Sequence, residues 1–441
     1  MRQLSNNFIQ ANSTLSRNPT LVIKIINENK NIYLTHGTVD ITDAGADFLQ
    51  NSIISCSGAS QTIVPERGYS TIGNITFSFL DLGFTEILRG LKDTYNDSIN
   101  NNKVEIYAGF SDLAFADYAL VIPMYVSQVD NNESSFTISL SDTQRFVKKS
   151  IFSNLKKTTA ISSLGVVTGS IEVISSAGFE DVYHDAGWGD APERTVGYLS
   201  VSGTDPSGSD VTEIMRWEGK ADETHFTIVE RGVAGTRIVD IEGTVDGGNY
   251  ELQEIVYLDL PVPKMIIALQ TGDLYGDAGK TLPDSWHAGV SASLIDIASY
   301  ENIGSDLSSL RLEFWGVSDE DAKGFIAEQC LAPINLFNYI NQNGELALKR
   351  FSYIPTSGSG DLILDYDSIT SVDGISRDTK SIRNVFTINW EWRHQDDSYY
   401  RSDTFADGNS IALNNFTSDA YTVNLKGLRN RNRDSGLAVN Q

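Results

Sequence analysis

The stretch VTEIMRWEGKADETHFTIVERGVAGTRIVDIEGTVDGGNYELQEIVY, Val211 to Tyr257, decides how this chain is divided. Ile214, Arg216 and Glu218 alternate with Met215 and Trp217, the period of two that sends successive side chains to opposite faces of a strand. Gly219 opens a polar turn of Lys220, Ala221, Asp222 and Glu223, and Phe226 and Ile228 begin a second strand. That strand stops at Arg231-Gly232-Val233-Ala234-Gly235-Thr236. Gly232 and Gly235 are expected to be structural there, admitting the left-handed backbone of a tight turn. A third strand, Tyr250 to Tyr257, leads to Leu258 and Pro261. Short strands with tight turns between them make a small β module, which has to be set into something larger.

Upstream, residues 20–150 read as an all-β domain. Ile75, Phe77 and Phe79 alternate with Thr76 and Ser78, and Phe136, Ile138 and Leu140 alternate with serines and threonine. Antiparallel sheet with one wet face produces this pattern. Phe84, Ile87, Leu88 and Leu91, spaced i, i+3, i+4 and i+7, predict one helix within it. The basic run from Gln144 to Lys157 reads as a solvated helix or loop face.

Downstream, Pro261 and Pro263 mark a boundary, and helices are expected over Lys264 to Leu269 and Ser291 to Tyr300. Leu310, Leu312 and Phe314 make a strand. Ser318 is the expected N-cap of the following helix, with Asp319, Glu320 and Asp321 in its first turn. Leu336 to Ile340 and Leu346 to Phe351 then form a hairpin around Asn343-Gly344, where both residues accept positive φ. Pro355 to Gly360 reads as a linker, after which the all-β style resumes, most clearly in Val385 to Trp392. The division is 1–157, 158–258, 259–355 and 356–441.

Composition bounds the function. The formal charge of -25 over 441 residues argues against nonspecific adhesion to duplex DNA or to acidic membranes, and its bland reading is solubility. No apolar run is long enough to span a bilayer, and the N-terminus has no apolar segment of a secretory signal. Cys56 and Cys330 lie far apart and fit two free thiols in a reducing cytoplasm. His36, His184, His225, His287 and His394 are scattered without metal-ligand spacing, and no nucleophile elbow or phosphate loop is present. Among 58 acidic residues an apparent carboxylate pair means little, and Asp246-Gly247-Gly248-Asn249 reads as an ordinary turn. The expectation is therefore no enzyme, no cofactor and no metal.

Three of these segments resemble, in their order, the tail-tip (baseplate) hub protein of long-tailed bacteriophages and gene transfer agents. EIMRWEGKADETHFTIVERGVAGT is similar to a tail-protein module reading E-I-x-x-Y/W-x-G and then R-G-x-x-G-T. FTISLSDTQRFVKKSIF resembles the end of the first hub barrel, and SDEDAKGFIAEQCLAPINLFNYINQNGELALKRF the helix-plus-hairpin domain that follows the insertion. The resemblance implies a mainly β fold with α+β parts. Two tube-like β-barrel domains, with residues 20–150 and 361–430 as candidates, would flank the inserted small β module and the helix-plus-hairpin domain. It further implies a homotrimeric ring in the virion, synthesised in the host cytoplasm, that closes the tail tube. Its partners would be the distal tail protein, the tape-measure protein and tail fibre or central spike proteins, with DNA passing through the lumen without specific binding. A tail-associated cell-wall hydrolase and a carbohydrate-binding adhesin stand as the alternatives.

Overall fold

A computed structural model of the chain describes residues 5–12, 18–58, 61–63, 68–161, 164–165, 169–179, 182–184, 194–233, 236–238, 250–274, 281–307, 310–316, 318–350, 383–393 and 397–428. The fold is mainly β with helices set between several sheets. The turn Asp246 to Asn249, the linker Pro355 to Gly360, His394 and Gly235 lie outside the described residues. The chain forms two compact units: one comprises residues 1–149, 288–303 and 337–349, the other 150–287, 304–336 and 350–441.

In the first unit, strands β1 Pro19–Ile26, β2 Ile32–Thr35, β3 Asp47–Leu49 and β4 Ile53–Cys56 precede a short hairpin, β5 Gln61–Ile63 with β6 Ser70–Ile72. They are followed by β7 Ile75–Leu80, β8 Lys103–Phe110, β9 Ala119–Asn132 and β10 Ser135–Ser141. Eight of these make one sheet in the order β3-β2-β1-β8-β9-β10-β7-β4, antiparallel except for the β2–β3 pair. The alternation in β7 and β10 does what the sequence expects. Phe77, Phe79, Phe136 and Ile138 are buried, while Ser78 and Thr137 face outward and share a hydrogen bond of 2.9 Å.

Helix Phe84–Tyr95 lies on that inner face, its Phe84 ring edge-on to Phe79 at 4.8 Å and to Phe136 at 4.9 Å. Its N-terminal amides are capped from outside the helix: Asp81 accepts from Thr85 N at 3.0 Å and from Thr85 Oγ1 at 2.6 Å. These bonds to Thr85 hold the Asp81 carboxyl below its ordinary pKa. The sheet's other face carries a smaller core of Val22, Tyr33, Val39 and Tyr118. The basic run begins as a 3-10 helix, Thr143–Val147, with Thr143, Gln144 and Val147 buried, while Lys148, Lys149, Lys156 and Lys157 are exposed.

The second unit opens with β11 Ser150–Ile151, β12 Lys157–Thr159, β13 Ser170–Glu172, β14 Val182–His184, β15 Arg194–Thr204, β16 Asp210–Asp222, β17 His225–Glu230 and β18 Glu251–Pro261. Their sheet runs β12-β18-β15-β16-β17-β13, with β14 also pairing β15. Its core centres on Trp217, packed with Phe226, Met215, Leu199 and Leu252. Gly219 does not open the turn. It sits at φ 78° inside β16, where the register with β17 shifts, and the strand continues to Asp222. A bulge uses the positive φ that only glycine adopts cheaply.

β18 does not end with the module. Its first half pairs β12 and β15, and Val256 to Pro261 pair β19 Arg311–Gly316. Helix Val262–Thr271 follows directly and buries nearly every side chain, which explains why Lys264 is its one charged residue. It ends at Gly272, φ 85°, where an added Cβ would lie 2.5 Å from His287 Nε2.

After β19 the acids do not fill a first helical turn. Glu320–Asp321 is the short strand β20, paired with β11. The cap is Asp321, not Ser318: its carboxylate accepts from Gly324 N at 2.7 Å ahead of helix Ala322–Phe325. That helix loosens into a π-turn, Ile326–Leu331, which places Cys330 in full burial.

The hairpin β21 Leu336–Ile340 and β22 Leu346–Arg350 is present, but its connection is five residues long. Gly344 has φ 80°, whereas Asn343 is not among the positive-φ residues. Asn341 Oδ1 closes the turn instead, accepting from the amides of Asn343 at 2.9 Å and Glu345 at 3.0 Å. Within the first unit, residues 288–303 bring part of helix Ile297–Asp306, whose Tyr300 hydroxyl accepts from buried Asn338 at 2.6 Å. The second unit closes with a three-stranded sheet, β24 Ser398–Ala406, β23 Val385–Arg393 and β25 Tyr421–Asn424, in the order β24-β23-β25.

Candidate functional site

Glu213 stands on the same side of β16 as Met215 and Trp217, a carboxylate on an apolar face, and it is completely buried. A charge taken out of water has to be met by an opposite charge and hydrogen bonds. Arg231, at the end of β17, supplies both: Nε donates to Oε1 at 2.9 Å and Nη2 to Oε2 at 2.5 Å. The Gly232 amide adds a third bond to Oε1 at 3.0 Å, and Arg231 Nη1 donates to the Gly165 carbonyl. Thr236 completes the knot, its Oγ1 accepting from Ile214 N at 2.9 Å and donating to the Val233 carbonyl at 2.8 Å.

Gly232 has φ 68°, and a Cβ placed there would meet Ile238 Cγ1 at 2.8 Å and the Thr236 carbonyl oxygen at 3.0 Å. Trp217 makes its own demand. Its indole lies flat over Gly197, the residue opposite it in the register, where a Cβ would fall 2.1 Å from Trp217 Cε2. The two halves of the stretch, E-I-x-x-W-x-G and R-G-x-x-G-T, therefore meet in space. Glu213 answers Arg231, Ile214 answers Thr236, and Gly232 clears room for Ile238.

A carboxylate bound in a fork by a guanidinium and by a backbone amide, without solvent, is arranged to hold structure rather than to move protons. The Glu213–Arg231 pair itself is not read from the sequence, where the structural role at this turn falls to Gly232 and Gly235. The available signal was one of parity, since Glu213 shares the phase of Met215 and Trp217.

Two histidines meet carboxylates. His225 Nδ1 lies 2.9 Å from Asp222 Oδ1 across the β16–β17 turn, and His287 Nε2 lies 3.7 Å from Asp284 Oδ1. Hydrogen bonds from His225 first and Thr224 second pull the Asp222 carboxyl down to about 2. Among the described residues no group of three or more His, Cys, Asp or Glu side chains could hold a metal ion. No described helix is long and apolar enough to cross a membrane.

The sheet β24-β23-β25 is the second candidate. Phe386 pairs with Phe405 on one side and Tyr421 on the other, so three rings form a row across one face. They are 37%, 57% and 43% exposed. Cations attend the aromatic residues further along: Arg401 lies 5.3 Å from the Trp390 ring, Lys426 4.5 Å from Trp392, and Arg393 3.8 Å from Tyr400. Trp390 Nε1 donates to Asp403 at 2.6 Å. The opposite face is polar, with Thr387 bonded to Thr404 at 3.0 Å and Asn389 to Asn424 at 2.8 Å.

No family model matches the sequence, and no curated protein matches it. Among solved structures the chain is similar to a chain of "Virion of native gene transfer agent (GTA) particle", at 12% identity and a TM-score of 0.25. That match covers 57% of this chain and 84% of the other. A likeness at this score is loose and defines neither fold nor role.

Proposed function

We propose that this chain is a structural hub of a phage tail tip (baseplate), three copies of which form a ring that closes the tail tube. The ring would join the tube to distal tail, tape-measure and fibre or spike proteins and open for DNA to pass. In this reading residues 1–157 and 356–441 are the tube-like domains, 158–258 is the inserted module, and 259–355 links them.

The observation that carries the proposal is the sheet β24-β23-β25. Eight of the nine residues of β24 are exposed, and the aromatic row of Phe386, Phe405 and Tyr421 stands in water. An exposed edge strand beside an exposed aromatic row attracts a partner, so such a surface fits a subunit whose working state is assembled. The order of the sequence segments supports the same reading. The net charge of -25 gives it a use, because an acidic lumen repels passing DNA.

The test is the mass of the purified protein in solution, by light scattering or native mass spectrometry. Three times the chain mass is expected. A monomer that persists at high concentration and within isolated tails overturns the proposal.

A further inference from the structure

The first unit contains a cavity of about 420 Å³, within the size range of small-ligand pockets, roughly 300–1,000 Å³. Its floor is the outer face of β8 and β9, with Lys103, Glu105, Leu120 and Tyr125. One wall is the 3-10 turn at Ser293 and Leu294, the other the hairpin tip at Asn343 and Glu345.

These walls are fixed to the rest of the unit. The Gly344 α-carbon sits so close to Pro123 that an added Cβ would lie 2.5 Å from its Cγ, and Thr143 Oγ1 donates to the Gly344 carbonyl. The two walls are tied to each other as well. Asp296 N donates to the Leu346 carbonyl at 2.9 Å, and Asn341 Nδ2 donates to Asp296 Oδ2 at 3.1 Å. A cavity held open this way requires little ordering on binding.

The chemistry of the lining is specific. Leu120 and Leu294 offer an apolar track, and the lining carries two carboxylates, Glu105 and Glu345, and one cation, Lys103. That cation is already engaged: Lys103 Nζ lies 3.3 Å from Glu105 Oε1, while Tyr107 donates to Oε2 at 2.7 Å. Glu345 Oε2 accepts from two side-chain amides, Asn341 Nδ2 at 2.8 Å and Asn343 Nδ2 at 3.3 Å. The complement of this lining is a cation at the end of an alkyl stem. A guanidinium suits it best, since its fork matches a carboxylate and its planar head sheds water more readily than an ammonium.

We infer that this cavity receives an arginine side chain carried on an exposed segment of a partner protein. The stem would lie along Leu120 and Leu294 and the guanidinium would face Glu345. The chain's net charge of -25 draws such a cation toward it. The inference stands apart from ring formation and does not depend on it.

Calorimetric titration of the full chain with the peptide acetyl-Leu-Arg-Leu-amide tests it, with the same peptide carrying citrulline or lysine as controls. Saturable binding of the arginine peptide is expected, weakening as salt is raised. Loss of one charge-assisted pair predicts roughly tenfold weaker binding of the citrulline peptide, and of the arginine peptide to Glu345→Gln. Ser293→Trp, a change at an exposed wall position, should block the cavity and abolish binding while the circular dichroism spectrum and melting midpoint stay those of the parent chain. Absence of saturable binding, equal affinity for citrulline, or unchanged binding by both variants overturns the inference. Equal affinity for the lysine peptide overturns the choice of a guanidinium.

Discussion

At the scale of single residues, the module depends on charges and glycines that leave no slack. Removing one partner of a buried ion pair strands the other, at about 3–5 kcal/mol, whereas replacing both with apolar groups of similar size is far milder. Glu213→Ala should therefore lower the stability of the full chain by about that amount, and the double change Glu213→Met with Arg231→Met should cost clearly less. Denaturant midpoints followed by tryptophan fluorescence measure both, and equal losses would dismiss the ion-pair account. Gly197→Ala is a sharper case, because the new methyl group would occupy the place of the Trp217 indole. Overpacking of this kind costs about 1–3 kcal/mol or more, and the Trp217 emission should move to the red as the ring is expelled. Gly232→Val combines a close contact with a positive φ that valine resists, so the module should loosen while the first unit keeps its own unfolding transition.

At the scale of elements, the β16–β17 hairpin carries a pH dependence whose sign can be worked out. Asp222 has an ordinary pKa of 3.8 and is held near 2 by His225 and Thr224. A depressed folded-state pKa stabilises the fold above the unfolded value and is lost as pH falls through the folded one. Acid unfolding between roughly pH 4 and pH 2 should thus include a contribution from this turn, absent in Asp222→Asn. Titration of the two proteins side by side, with circular dichroism, decides it; superimposable acid curves would refute it.

The same hairpin shows how far the sequence is legible. Alternation located β7, β10 and β17, because one side of each strand is wet and the pattern survives, and β16, although Ile214 and Met215 are buried on opposite faces. Local turn chemistry was read less well. Gly219 looked like a turn and is a bulge, Ser318 looked like a cap and yields to Asp321, and Asn343-Gly344 sits in a longer turn closed by Asn341. Strand pairing explains the first two, since Gly219 sits at a register shift with β17 and Asp321 ends a strand paired to β11, whereas the third is local chemistry at Asn341 that the Asn-Gly signal masked. Glu213 and Arg231 escaped because eighteen positions separate them, and only the pairing of β16 with β17 brings them together.

At the scale of the whole molecule, the uncovered aromatic row makes assembly the decisive experiment. If ring formation uses this face, the pair Phe386→Asp and Phe405→Asp should leave a soluble chain of single-copy mass. An assembly unchanged by both substitutions would move the interface elsewhere. One strand also deserves to be considered as a mechanical part. β18 spans eleven residues, about 36 Å at the usual rise, and is paired within the module at one end and with β19 at the other. It then enters a helix with almost no exposed side chain. A tug on the module along this axis would load the β18–β19 hydrogen bonds in shear, all of them at once, rather than peeling them singly. The module is thus built less like a pendant on a tether than like a lever on a stiff shaft, able to pass a pull from its own surface into the interior of the second unit.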